Sequence, residues 1–126
     1  MSIERLMIRS EQMRALALSF AEHTRIQLED YCWFTYPDAC EELGEAEVSR
    51  LVRVGIALAK EHGYETFGDT QSLVELVVYW GENFQEDQAW ARRIWTANLP
   101  PDRKLAALTA AASEERIREI LEEGDA

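Results

Sequence analysis

Carboxylates are the residues in this chain best placed by number and spacing to do chemistry. They gather at Glu41, Glu42, Glu45 and Glu47 and again at Glu82, Glu86 and Asp87. Close carboxylate pairs can serve as general acid and base, and a convergent set can bind a divalent cation. Twenty-four acidic residues in 126, however, make such clustering expected by chance. No Asp-x-Asp-x-Asp-Gly calcium loop, no phosphate-cradling Gly-rich loop and no Glu-x-x-His pair of the kind that builds di-iron sites accompanies them. His23 and His62 are the only histidines, and neither stands at metal-ligand spacing or beside a nucleophile. Cys32 and Cys40 lie eight positions apart, which is neither a Cys-x-x-Cys redox pair nor half of a zinc set, so both read as buried free thiols. The expectation is a protein without catalytic residues, cofactor or metal.

Charge sets the kind of partner to look for. Thirteen basic against twenty-four acidic residues give a formal charge of -11. Such a field repels phosphate backbones and anionic headgroups and attracts cationic surfaces, which argues against nucleic acid and membrane and for a basic protein. The charge also has a bland reading, as a means of keeping a protein dispersed. Trp80, Trp90 and Trp95 flank the acidic turn Gly81-Glu82-Asn83-Phe84-Gln85-Glu86-Asp87. Aromatics rimmed by acids suit a protein interface, so Trp80, Glu82, Asn83, Glu86, Asp87, Trp90 and Trp95 form the candidate partner-binding set. The competing assignment puts the three tryptophans in the core.

The elements that must position these residues are helical. Hydrophobic residues make up 47% and charged residues 29%, as in a globular domain. Residues 1–9 read as an N-terminal arm in which Ile3, Leu6 and Ile8 fasten to the core. Ser10 is a candidate N-cap for a helix to about Cys32, with Met13, Leu16, Ala17, Phe20, Leu28 and Tyr31 on its buried stripe. Pro37 opens a short helix that stops at Gly44. Val48, Leu51, Val52, Gly55, Ile56 and Ala59 make the face of a third helix, closed by His62 and Gly63. Gly55 inside that face costs roughly 1 kcal/mol relative to Ala, so another helix should approach closely there.

Thr66 or Asp69 caps a helix, Leu73 to Trp80, that is apolar on nearly every side and belongs at the centre. Asp87 can start the next, which Pro100-Pro101 terminates. Beyond Asp102, the stripe Leu105, Leu108, Ala112 shifts by about one residue at Ile117, Ile120 and Leu121, so Ser113 can be a new N-cap or lie within one bent helix. Residues 122–126 should fray. The expected architecture is all-α, a compact single domain over 1–126 of about five to seven helices. The N-terminal apolar residues are interrupted by Glu4, Arg5 and Arg9 and no uncharged run approaches a bilayer's thickness, so a cytoplasmic location is expected.

The ordered motifs Met7-Ile8-Arg9-Ser10-Glu11-Gln12-Met13, Cys40-Glu41-Glu42-Leu43-Gly44-Glu45, Leu51-Val52-Arg53-Val54-Gly55-Ile56-Ala57-Leu58-Ala59, Gly63-Tyr64 and Trp80-Gly81-Glu82-Asn83-Phe84 carry a resemblance. Over about residues 7 to 95 the chain resembles small helical bacterial proteins encoded beside the spike, PAAR and effector genes of type VI secretion systems. In that family the usual start aligns with Met7, and the acidic turn is richer in Asp and Pro than Gln85-Glu86-Asp87-Gln88. The resemblance implies an accessory protein that binds a secreted effector or its carrier, as immunity protein or as adaptor and chaperone, and it brings no catalytic residues. Two other readings stand beside it: a self-associating helical scaffold that buries its Trp-rich helices against another copy, and a small hydrolase built on the Glu41 to Glu47 carboxylates.

Overall fold

The computed structural model describes residues 3–124, with side chains for 9–123. Among them are seven helices and no strand: α1 (Ile3–Thr35), α2 (Pro37–Leu43), α3 (Glu45–Glu61), α4 (Phe67–Trp80), α5 (Phe84–Asp87), α6 (Ala89–Trp95) and α7 (Pro101–Gly124). The fold is a compact all-α one.

Its centre is the α3–α4 pair. Leu73, Val74, Leu76, Val77 and Val78 of α4 are all buried, as a helix apolar around most of its circumference requires. Val48, Leu51, Val52, Gly55 and Ala59 face it from α3. Gly55 is where the two backbones meet: a Cβ built there would stand 2.7 Å from the Val74 Cα. The close approach expected from a glycine inside an apolar stripe is therefore realised. Gly63, at φ +79°, takes the left-handed conformation that ends α3, and Thr66 Oγ1 accepts a 3.1 Å hydrogen bond from the Asp69 N–H to start α4. Buried Tyr64 ties this connection to the last helix by donating its hydroxyl to the Pro101 carbonyl at 2.8 Å. Leu28 and Cys32 from α1, Cys40 from α2, Phe84 from α5, Ala91 from α6, and Leu105, Leu108 and Ala112 from α7 complete the core. Both cysteines are buried free thiols, and desolvation pushes the Cys32 thiol up to about 12.

Two boundaries differ from those read off the sequence, at Ser10 and Asp87, and the choice left open at Ser113 falls to a single helix. No break occurs at Ser10: α1 is continuous, since nothing between Ile3 and Thr35 is Gly or Pro and Arg, Leu, Met, Glu, Gln and Ala dominate its first half. The contacts expected of Ile3, Leu6 and Ile8 lie outside the described side chains. Ser113 caps nothing either. Its hydroxyl donates to the Thr109 carbonyl one turn back, at 3.0 Å, and α7 runs through it to Gly124. Residues 122–124 are thus helical, while 125–126 lie outside the described residues. Asp87 ends the one-turn α5, and α6 starts at Ala89 after Gln88 adopts an extended conformation.

A larger difference concerns α1. Its stripe was expected to be buried along its whole length, yet Met13, Leu16 and Phe20 are 67%, 60% and 65% exposed. Burial begins only near Leu28, because the rest of the fold packs against the C-terminal part of α1 and no described residue covers the earlier turns. At the other end of the chain Ile117, Ile120 and Leu121 of α7 are likewise exposed.

Candidate functional site

The three tryptophans of the candidate set sit at the edge of the core, each partly buried and packed against it. Trp80 and Trp90 meet edge to face with ring centroids 5.3 Å apart, and Trp95 makes similar contacts with His62 at 4.8 Å and Phe84 at 6.2 Å. The indole N–H of Trp90 and the side-chain oxygen of Gln85 are buried with no hydrogen-bond partner among the described residues. Glu82 is already engaged: Arg50 of α3 bonds it at 2.9 Å while also holding Glu47. Those hydrogen bonds keep both carboxyls below their ordinary range. Asn83, Glu86 and Asp87 are exposed around the turn.

A second cluster, absent from the sequence reading, adjoins Trp80. Glu75 projects from α4 toward the α1–α2 corner, where one of its oxygens accepts 3.0 Å hydrogen bonds from the hydroxyls of Tyr31 and Tyr36. Burial first, then this carboxylate, raise the Tyr31 and Tyr36 hydroxyls above the ordinary phenol range, so both stay protonated as donors. Arg116 of α7 places its guanidinium over two rings at once, 4.8 Å from the Tyr36 centroid and 5.2 Å from that of Tyr79. Tyr36, Tyr79, Trp80 and Trp90 form a file of tilted and edge-on aromatic contacts that joins this cluster to the Trp-rich helices.

Between these groups is a cavity of about 160 Å³, bounded by Glu75, Tyr36, Tyr79, Trp80 and Arg116 with the hydroxyls of Ser72, Thr109 and Ser113. It opens beside a longer groove between α2 and α7, about 530 Å³ in volume, that shares Tyr36, Tyr79, Trp80 and Arg116. Asp38 and Glu42 line one wall and Glu119 and Glu123 the other, against the single cation Arg116; Pro37 and Ile120 add apolar surface. Four carboxylates to one guanidinium make the groove acidic, and the rings of Tyr36, Tyr79 and Trp80 line it.

The arrangement presents carboxylates and aromatic rings together in one groove. Glu41 to Glu47 do not converge with other ligands: among the described residues no three His, Cys, Asp or Glu side chains stand together as a metal site. Nor is any described helix long and apolar enough to cross a membrane. Sequence reasoning missed Glu75, Tyr31, Tyr36 and Arg116 as a cluster because they come from α4, α1, the α1–α2 link and α7. The available signal was Glu75 itself, the one acid in the apolar run from Leu73 to Trp80. Comparison with protein-family models, curated proteins and solved structures found no match to this chain.

Proposed function

We propose that this chain is a non-enzymatic, cytoplasmic binding protein that receives a basic segment of another protein in the α2–α7 groove. The observation that supports this reading is the composition of the groove: Asp38, Glu42, Glu119 and Glu123 around an aromatic floor that ends at Glu75. A lysine or arginine side chain entering the 160 Å³ cavity would meet the Glu75 carboxylate beside the rings of Tyr79 and Trp80. The net charge of -11 would speed the encounter with a basic partner and make it salt-sensitive. Together with the resemblance to accessory proteins of type VI secretion loci, this composition supports a partner from the class of secreted effectors or their carriers. The chain would then act as immunity protein or as adaptor and chaperone.

The test is co-expression with the product of each adjacent gene, affinity purification at low and moderate salt, and a toxicity assay of the captured product with and without this chain. A complex that abolishes toxicity assigns immunity, and one that leaves toxicity intact assigns an adaptor or chaperone. Failure of every neighbouring product to bind at either salt concentration would overturn the reading.

A further inference from the structure

The turns of α1 from Arg9 to Phe20 and the α2–α7 groove are both left open by the described residues, and they are complementary. Arg9, Met13, Leu16 and Phe20 follow one another at spacings of four, three and four, so they share one helical face, and every one of them is exposed. The arm also differs in charge from everything that follows it. Residues 1–21 carry three basic and two acidic side chains, whereas residues 22–126 carry ten basic and twenty-two acidic. The acidic side matches it feature for feature: Asp38, Glu42, Glu119 and Glu123 line the groove, and Ile120 of its rim continues into exposed Ile117 and Leu121. Within one chain the arm is a straight extension of α1, whose C-terminal end forms the groove's own corner at Thr35 and Tyr36, so it cannot fold back into that groove without breaking the helix.

From this we infer that the groove is occupied, when no other partner is bound, by the α1 arm of a second copy of this chain. The exchange is reciprocal: each copy offers one arm and one groove, so a two-fold dimer uses both and leaves no open end for further growth. Met13, Leu16 and Phe20 lie against Ile117, Ile120 and Leu121, while Arg9 and Arg14 face Glu119 and Glu123. The dimer uses the groove of the functional reading but does not depend on it, and a basic partner would have to displace the arm.

The experiment is light scattering after size exclusion on the full chain at high concentration, with four variants. The wild-type chain is expected at twice its 14.5 kDa mass. Reversal of the arm (Arg9→Glu with Arg14→Glu) and reversal of the groove (Glu119→Arg with Glu123→Arg) are each expected to give monomer. The combined four-site variant is expected to return to dimer. Leu16→Ser with Phe20→Ser should give a monomer whose far-UV circular dichroism matches the wild type, because both side chains are exposed within one chain. A monomeric wild type, a dimer indifferent to either reversal, or a combined variant that stays monomeric would overturn the inference. None of these results bears on capture of a basic partner by the monomer, so the two readings fail separately.

Discussion

Replacing Gly55 with alanine sets two effects of opposite sign against each other, and the geometry decides between them. In an exposed helix interior Gly→Ala stabilises by about 1 kcal/mol, because alanine has less backbone freedom to lose. At position 55 the new Cβ would stand 2.7 Å from the Val74 Cα, 2.8 Å from its Cγ2 and 3.3 Å from its Cβ. Carbon atoms prefer roughly 3.5–4.0 Å, so the helices must separate by about 1 Å at their crossing. A rotamer change of Val74 moves Cγ2 but cannot move the Cα, so the strain falls on the α3–α4 contact and on Val52, Ala59, Leu73 and Val77 around it. Overpacking of this kind costs about 1–3 kcal/mol, and a backbone clash belongs at the upper end. The net expectation is a loss of about 1–2 kcal/mol. Melting temperatures fall about 3–5 °C per kcal/mol for a domain of this length, so the drop is roughly 3–10 °C. Thermal and urea unfolding followed by far-UV circular dichroism would measure it. Gly68→Ala is the control, since its Cβ would meet nothing within 4 Å and should stabilise by about 0.4–1 kcal/mol. A Gly55→Ala chain as stable as the Gly68→Ala chain would refute the α3–α4 crossing.

Three further outcomes are expected. Leu28→Ala, at a fully buried position, should cost about 2–5 kcal/mol in urea unfolding, whereas Phe20→Ala, eight residues earlier on the same helix, should cost close to nothing in the monomer. Cys32 and Cys40 should resist a thiol reagent in the native protein and react together on unfolding, because both are buried and desolvation raises both thiols. All four tyrosines are raised by burial, so their neutral forms contribute stability that is fully present below the ordinary phenol value of about 10 and is lost as pH rises toward their folded values. Tyr36→Phe should therefore flatten the stability loss above about pH 10 while costing about 1 kcal/mol at neutral pH for the Glu75 hydrogen bond; an unchanged alkaline slope would contradict the assignment.

Where the sequence was legible, a local physical cause acted alone. The position of Gly55 in an apolar stripe announced a close helix crossing, Pro37 and Gly44 bounded α2, and the nearly all-apolar run from Leu73 to Trp80 announced a central helix. Caps were less readable, because Ser10 and Ser113 have a capping residue's chemistry but sit among strong helix formers, and propagation of an existing helix wins over starting a new one. Periodicity also overstated burial. Met13, Leu16 and Phe20 have the spacing of a core face, but a stripe reports only that a surface is suited to burial, and none of the described residues covers it. The site was least legible. Tyr31, Tyr36, Glu75, Tyr79 and Arg116 are spread over 86 positions' worth of chain and come together only because α7 returns across α4 beside the α1–α2 corner. The Trp80 to Trp95 segment drew attention by its composition, and of its members only Trp80 lines the groove.

The most direct test of the central claim is a side-by-side capture of the co-expressed neighbouring gene product by wild-type chain, by the groove reversal Glu119→Arg with Glu123→Arg, and by a turn variant, Glu86→Arg with Asp87→Arg, that leaves the groove intact. The account predicts that the wild type and the turn variant retain the partner and that the groove reversal loses it at moderate salt. Retention by the groove reversal together with loss by the turn variant would contradict it and move the binding surface to the acidic turn.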